Sequence, residues 1–317
     1  CTLFPYTTLF RSVMSPFWKN GGASSAGAVT WGNGTTGTVG VVSAANSLVG
    51  SQANDSVGFG FVTALSNGNY VVSSPNWNNG GTMNAGAATW GNGATGIKGV
   101  VSAANSLVGI QNNDRVGSGV TALSNGNYVV SSLFWDDGGI TDVGAVTWGN
   151  GATGITGPVS AANSLVGSQS ADLVGSGGVT ALANGNYVVS SRDWANGGAT
   201  DAGAATWGNG ATGIVGQVTV ANSLVGSQPN DSVGFGGATA LSNGNYVVRS
   251  FLWDNGVIVD AGAATWGNGA TGIVGLVSAA NSLVGSQAND RVGNGGVTAL
   301  SNSNYVVRSR DWDNGGA

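Results

Sequence analysis

The chain has 317 residues, 58 of them Gly, with only 7% charged, a net charge of −5 and 11 Trp. It contains no His, and all 14 acidic residues are Asp, so the imidazole and the raised-pKa Glu on which acid–base catalysis usually draws are missing. The acidic balance (pI ≈ 4.3) gives no electrostatic grip on nucleic acid, and no apolar run approaches the length of a membrane-spanning helix. An apolar share of 41% with so little charge argues for a packed chain despite the glycine.

The first segment stands apart. Residues 1–12 hold the single Cys, and Thr2 to Ser12 resemble the in-frame translation of a sequencing-adapter primer. Residues 1–12 are therefore set aside from the fold as an expected artefact, with 13–317 as one tandem-repeat domain. The chain is then expected to be a fragment of a longer protein, without a disulfide framework.

From there the tryptophans mark a period. Trp31, Trp90, Trp148, Trp207 and Trp266 each open a Trp-Gly-Asn-Gly motif, at spacings of 59, 58, 59 and 59. A second series, Trp18, Trp77, Trp135, Trp194, Trp253 and Trp312, lies 13 residues before each of these, with one extra at the end. Such self-similarity predicts about five stacked units, each burying its faces against its neighbours.

Within one unit, Val62–Leu65 and Tyr70–Ser73 flank Ser66-Asn67-Gly68-Asn69. Asn-Gly between β-prone runs predicts a hairpin with a type I′ turn, repeated at Asn125-Gly126, Asn184-Gly185 and Asn243-Gly244 and altered at Asn302-Ser303. A third strand is predicted over 85–90 and a fourth over 100–104, with no helical periodicity anywhere. Apolar and small residues at both strand parities imply sheets covered on both faces. The expected fold is all-β, a β-propeller of four-stranded blades about 59 residues long, with a β-solenoid as the alternative. The chain starts midway through one unit and ends midway through another; pairing of these halves would close a ring of five, but the preferred reading is an arbitrary cut through a larger ring or array.

Several recurring residues invite a functional or a structural reading. Asp55, Asp114, Asp172, Asp231 and Asp290 are either a repeated ligand contact or Asx-type turns, and the structural reading is preferred. Asn46, Asn105, Asn163, Asn222 and Asn281 read the same way. The Trp-Gly-Asn-Gly tryptophans are either sugar-stacking platforms or inter-unit packing with the indole N–H on a turn carbonyl, and packing is preferred. Copies differ in the two residues before the first Trp (Pro16-Phe17, Pro75-Asn76, Leu133-Phe134, Arg192-Asp193, Phe251-Leu252 and Arg310-Asp311) and in the loop after it, as in Thr82-Met83-Asn84 against Ile140-Thr141-Asp142; recognition and simple loop drift are equal readings of this variation. If these loops share one rim, Phe17, Asn76, Phe134, Arg192, Asp193, Phe251, Leu252, Arg310 and Asp311 form a varied binding surface on a constant scaffold.

The motif order resembles the FG-GAP repeats of integrin-α-type propellers. Phe59-Gly60 and Phe235-Gly236 precede the first strand, Ser73-Ser74-Pro75 follows the hairpin, and Gly27-Ala28-Val29-Thr30 resembles the next strand. The units are also similar to uncharacterised repeats of large secreted bacterial haemagglutinin-like or adhesin-like proteins. The resemblance implies an extracellular or cell-surface setting and a surface ligand, glycan or protein. It does not carry over the calcium loop of FG-GAP repeats, since the turn Ser66-Asn67-Gly68-Asn69 has no carboxylate. The expectation is a binding or adhesion module without metal, cofactor or enzymatic activity; a structural spacer is the alternative, and a carbohydrate-active enzyme ranks below both.

Overall fold

A computed structural model describes residues 10–313 and Gly315. Most of the adapter-like segment, residues 1–9, lies outside them. The described residues are all-β, without a helix, in several small sheets. They divide into two compact units: residues 10–122, 126–130 and 149–159 in the first, and 123–125, 131–148 and 160–313 in the second.

The first unit opens with strands β1 (Phe10–Ser15), β2 (Ala28–Asn33) and β3 (Ser47–Val49). One full repeat follows: β4 (Val62–Ala64), β5 (Tyr70–Ser74), β6 (Ala87–Gly91), β7 (Gly99–Val100) and β8 (Leu107–Val108). Strands β4, β5, β6 and β8 form an antiparallel meander, with Val62 opposite Val72, Val71 opposite Trp90 and Ala87 opposite Val108. Strand β7 leaves its own repeat and runs parallel to β3 of the preceding one, Leu48 opposite Gly99. In turn β8 receives Gly157–Pro158 from the repeat after it. A repeat therefore has five strands, not four, and the fifth fastens it to its neighbour.

This exchange moves the fourth strand away from its expected place. Residues 101–106 form a turn: Val101 N–H still bonds Val49 O at 3.1 Å, and Asn105 N–H then closes on Ser102 O at 3.1 Å. Strand geometry resumes only at Leu107. The hairpin turn differs as well. Gly68 donates to Leu65 O at 3.0 Å and Leu65 to Asn69 O at 2.8 Å, while Gly68 (φ 88°), and not Asn67, is left-handed. This is a type I turn followed by a left-handed residue, whose twist suits a longer hairpin loop than type I′ serves.

The second unit repeats the scheme. Gly178–Ala181, Tyr187–Ser191, Ala204–Gly208 and Ser223–Val225 form a meander extended by Gly275–Leu276. Ala238–Ala240, Tyr246–Ser250, Ala263–Gly267 and Ser282–Val284 form the next. Gly296–Ala299 and Tyr305–Arg308 pair as a separate two-stranded sheet. The chain's two ends are not halves of one repeat. In β1 the chain already carries the meander's second strand, since Trp18 N–H caps Ser15 O as Trp77 N–H caps Ser74 O. Tyr305–Arg308 is that second strand again.

Both faces of each sheet are apolar because alternate residues face opposite neighbours. Tyr70, Val72, Ala87 and Val108 pack with Val29 and Leu48 of the preceding sheet. Tyr246, Val248 and Ala263 pack on Val188, Ala205 and Leu224 in the same way. The opposite parity, Leu241, Val247 and Ala264, meets Val297 and Val307 of the following hairpin. Between these layers run buried hydroxyl pairs such as Thr206 and Ser223, 2.7 Å apart, the serine bonded onward to Asn222 at 2.8 Å.

Candidate binding surface

Each meander has two chemically different ends. At the hairpin end, the turn 66–69 meets the Trp-Gly-Asn-Gly turn through Gly93 N–H to Asn69 Oδ1, 2.9 Å. At the other end, the loop after β5 meets the loop after β3 or β8: Asn113 N–H bonds Met83 O at 2.9 Å and Arg115 N–H bonds Asn84 O at 3.0 Å. We call this the loop end. All 14 Asp lie in its loops, whereas Lys98 is the one charged side chain in the described hairpin-end turns.

The hairpin end is a closed hydrogen-bond system. Gly151 O accepts from Trp90 Nε1 at 2.9 Å and from the amides of Asn67 and Asn69, both at 2.8 Å. Gly269 O gathers Trp207, Asn184 and Asn186 at 2.9, 2.8 and 2.8 Å. Trp31 donates to Gly93 O at 3.0 Å and Trp148 to Gly210 O at 3.0 Å. These tryptophans therefore bind the next repeat's turn, as the packing reading requires. The other series, Trp77, Trp135, Trp194 and Trp253, is 3–4% exposed and belongs to the core.

The recurring acids and amides are equally committed. Asp231, fully buried, accepts backbone N–H bonds from Ser227 (2.7 Å), Gln228 (2.9 Å) and, across to the next loop, Asp254 (2.9 Å). Asp55 binds Ser51, Gln52 and Asn78 N–H in the same pattern, Asp172 binds Ser168, Gln169 and Ala195, and Asp290 binds Ser286, Gln287 and Asp313. Burial pushes the carboxyl pKa up at Asp172 and Asp231 against the pull of those N–H groups. At Asp290 burial pushes the same way, but the three donors outweigh it and the pKa falls. Asn46 is a turn clamp, accepting from Ser43 N–H at 2.9 Å and donating to Val41 O at 3.0 Å.

The varied residues before the first Trp all lie at the loop end. Phe17 is 69% exposed and sits edge-on to Phe59, ring centroids 6.4 Å apart. Asn76 is half-buried and Phe134 exposed. In the second unit, Arg192 stands over the Phe235 ring, 5.2 Å from its centroid, and its Nε lies 3.5 Å from Asp193 Oδ2. Phe235 in turn meets Phe251 edge to face at 5.2 Å, with Leu252 half-buried beside it in sequence. Arg310 and Asp311 are exposed, and Asn294 bonds both: its amide N donates to Asp311 Oδ2 (2.6 Å), and its amide O accepts Arg310 N–H (2.8 Å).

The contacts bring in a position that the sequence reading passed over. Phe59, Ser118, Ser176, Phe235 and Asn294 each lie four residues after the buried Asp, and their N–H closes the same turn in every copy. Phe59, Phe235 and Asn294 touch the residues before a first Trp, joining separate loops into short columns of varied side chains. Their variation inside the constant Asp-x-Val-Gly frame was the signal available. Phe59 and Phe235 had been read as the Phe of a Phe-Gly motif; both are exposed.

No curated protein matches the chain. A family model matches residues 12–59, 64–118, 122–176, 181–235, 240–294 and 299–317, six successive copies covering most of the sequence, so the chain belongs to the family described as "Repeat of unknown function (DUF5650)".

Proposed function

We propose that this chain is an extracellular or cell-surface binding module of the adhesin-like bacterial kind, which grips a surface ligand through the loop end of its repeats and has no enzymatic activity. The observation that carries the reading is the division of labour between the two ends. The indoles of Trp90 and Trp207 with the turn amides beside them at the hairpin end, and Asp55, Asp172, Asp231 and Asp290 at the loop end, bond inside the scaffold. Among the side chains that differ between copies, Phe17 touches Phe59, and Arg192 and Phe251 touch Phe235, at exposed or half-buried positions. A constant frame presenting varied loops is the arrangement that recognition surfaces use. A propeller-type blade remains the proposed role of each unit, supported by the four-stranded meander with two apolar faces; the FG-GAP likeness is supported by motif order alone.

The test is adhesion by the purified chain and by a variant with Phe17, Phe134, Arg192, Phe251 and Arg310 all changed to Ala. Adhesion to bacterial, host-cell or matrix-coated surfaces is expected for the parent and lost in the variant, with unchanged circular dichroism. Equal adhesion by a folded variant would remove the loop end from the function. Adhesion by neither, with an extended shape in small-angle scattering, would favour a spacer.

A further inference from the structure

We infer that Arg192, Asp193, Phe235 and Phe251 form a subsite for a ring of a neutral oligosaccharide, an inference that rests on the loop-end reading above and names its ligand. The four side chains come from three separate loops and are drawn together by repeat stacking: Arg192 over Phe235 at 5.2 Å, Phe235 against Phe251 at 5.2 Å, Asp193 at 3.5 Å from Arg192. Phe235 is 39% exposed, and the Arg192 and Asp193 side chains are 42% and 30% exposed. An exposed aromatic cluster gains nothing for folding, and it offers an apolar platform for the C–H face of a sugar ring.

The polar partners decide the ligand class. Arg192 supplies a planar fork of donors and Asp193 a pair of acceptors, side by side. A hydroxyl is both donor and acceptor, so adjacent sugar hydroxyls use both groups at once. An acidic ligand approaching Arg192 meets the Asp193 carboxylate, and a cationic one approaching Asp193 meets the guanidinium. The chain's net charge of −5 further disfavours an acidic polymer. A neutral polyol is the chemistry that pays neither repulsion.

The surface is open, so a single ring is held weakly and affinity must come from several subsites on one polymer. Arg-Asp-Trp recurs at 310–312, where Asn294 takes the neighbouring place and adds a further amide.

The experiment is calorimetric titration of the intact chain with neutral hexasaccharides of glucose, galactose and mannose type, alongside an oligouronate and an oligoglutamate peptide. At least one neutral hexasaccharide should bind, with little dependence on salt. Affinity should drop about tenfold or more in Arg192→Met and Phe251→Ala. Arg192→Met keeps an unbranched side chain against Phe235 while removing the fork, so a loss there does not reflect lost packing. Thr212→Ala, at the hairpin end, should bind as the parent does. Silence toward all neutral sugars, binding untouched by both substitutions, or binding of only the uronate or the peptide would overturn the inference. If the sugars are silent while the chain still adheres to deglycosylated protein surfaces through its loop end, the ligand class is wrong and the loop-end reading survives.

Discussion

Replacing Asp231 should destabilise the second unit where one of its repeats meets the next. Its carboxylate is fully buried and holds three backbone N–H groups at 2.7, 2.9 and 2.9 Å, two in its own turn and one, from Asp254, in the loop after the next strand pair. Asp231→Ala leaves all three donors facing a cavity. A hydrogen bond to a charged acceptor is worth about 1.5–3 kcal/mol net. The two donors of the local turn share one oxygen and relax together toward solvent, so simple addition overstates the loss, and we expect about 3–5 kcal/mol. Asp231→Asn keeps one acceptor oxygen but sets an amide N–H against the remaining donor, for an expected loss of about 1.5–3 kcal/mol. Stacked repeats need not unfold in one step, so the measurement is urea denaturation followed by both Trp fluorescence and circular dichroism, fitted as coupled repeats. Equal losses for Ala and Asn, or a loss below about 1 kcal/mol for Ala, would refute the capping argument.

The same residue fixes the sign of a pH effect. Burial raises the folded-state pKa of Asp231, so the native chain holds this proton more tightly than the unfolded chain. The stability it contributes is fully present below the ordinary carboxylate pKa and is lost as pH rises through the raised folded value. Asp290 runs the other way: its lowered pKa contributes stability above the ordinary value, lost as pH falls through the folded one. Asp231→Asn and Asp290→Asn should therefore tilt the acid limb of the stability profile in opposite directions.

Three further outcomes are expected. Gly210→Ala should cost at least about 3 kcal/mol, because its Cβ would collide with Gly185 O and lie 3.0 Å from Asn125 Nδ2; Gly198→Ala, where nothing lies within 4 Å, is the control for thermal melts. Ala171→Asn should stabilise by about 0.5–1 kcal/mol, because Ala171 is left-handed at φ 65° where the other four copies place Asn at 66–68°; a lowered melting temperature would count against it. Burial pushes the Tyr246 hydroxyl up to about 12, so the stability it contributes is intact below the ordinary phenol value and lost as pH rises through about 12. The tyrosinate absorbance that Tyr246→Phe removes should then appear in the parent only together with unfolding, and its appearance before any change in circular dichroism would contradict the burial argument.

What the sequence disclosed depended on how local the cause was. The period was legible because Trp77 and Trp90 occupy environments repeated through the inner copies, one in the core and one on the next turn. The Asp55 turn was legible because two of its three donors lie three and four residues upstream; the third, Asn78, comes from another loop and left no trace. The fourth strand was misplaced for the opposite reason. Val100-Val101-Ser102-Ala103-Ala104 is β-prone, but what fixes Gly99–Val100 is a parallel pairing with Leu48 and Val49 some fifty residues away. The true strand, Leu107–Val108, is too short for an alternating pattern. Phe235 is legible in the sequence only as half of a Phe-Gly pair, because its place at the surface depends on Arg192 and Phe251, which only stacking brings to it.

Steric freedom alone explains part of the contrast between constant and varied positions. At the hairpin end Gly126, Gly185 and Gly244 lie so close to Asn67, Asn125 and Asn184 that an added Cβ would come within 3.1, 3.1 and 2.9 Å of the asparagine Cβ, so these turns resist change. In the last copy Ser303 takes the glycine's place at φ 69° and bonds Ser242 Oγ at 2.9 Å. At the loop end Gly81, Gly139 and Gly198 have nothing within 4 Å and no left-handed φ, and drift costs little there. Free drift in open space, however, gives small and polar residues, since an exposed apolar ring adds nothing to folding and promotes association. The loop end instead carries Phe17, Phe59, Phe61, Phe134 and Phe235, all well exposed, and three of them are edge-on to another phenylalanine. Tolerance accounts for the polar members of the varied set; it leaves the phenylalanines without a reason unless something outside the chain covers them.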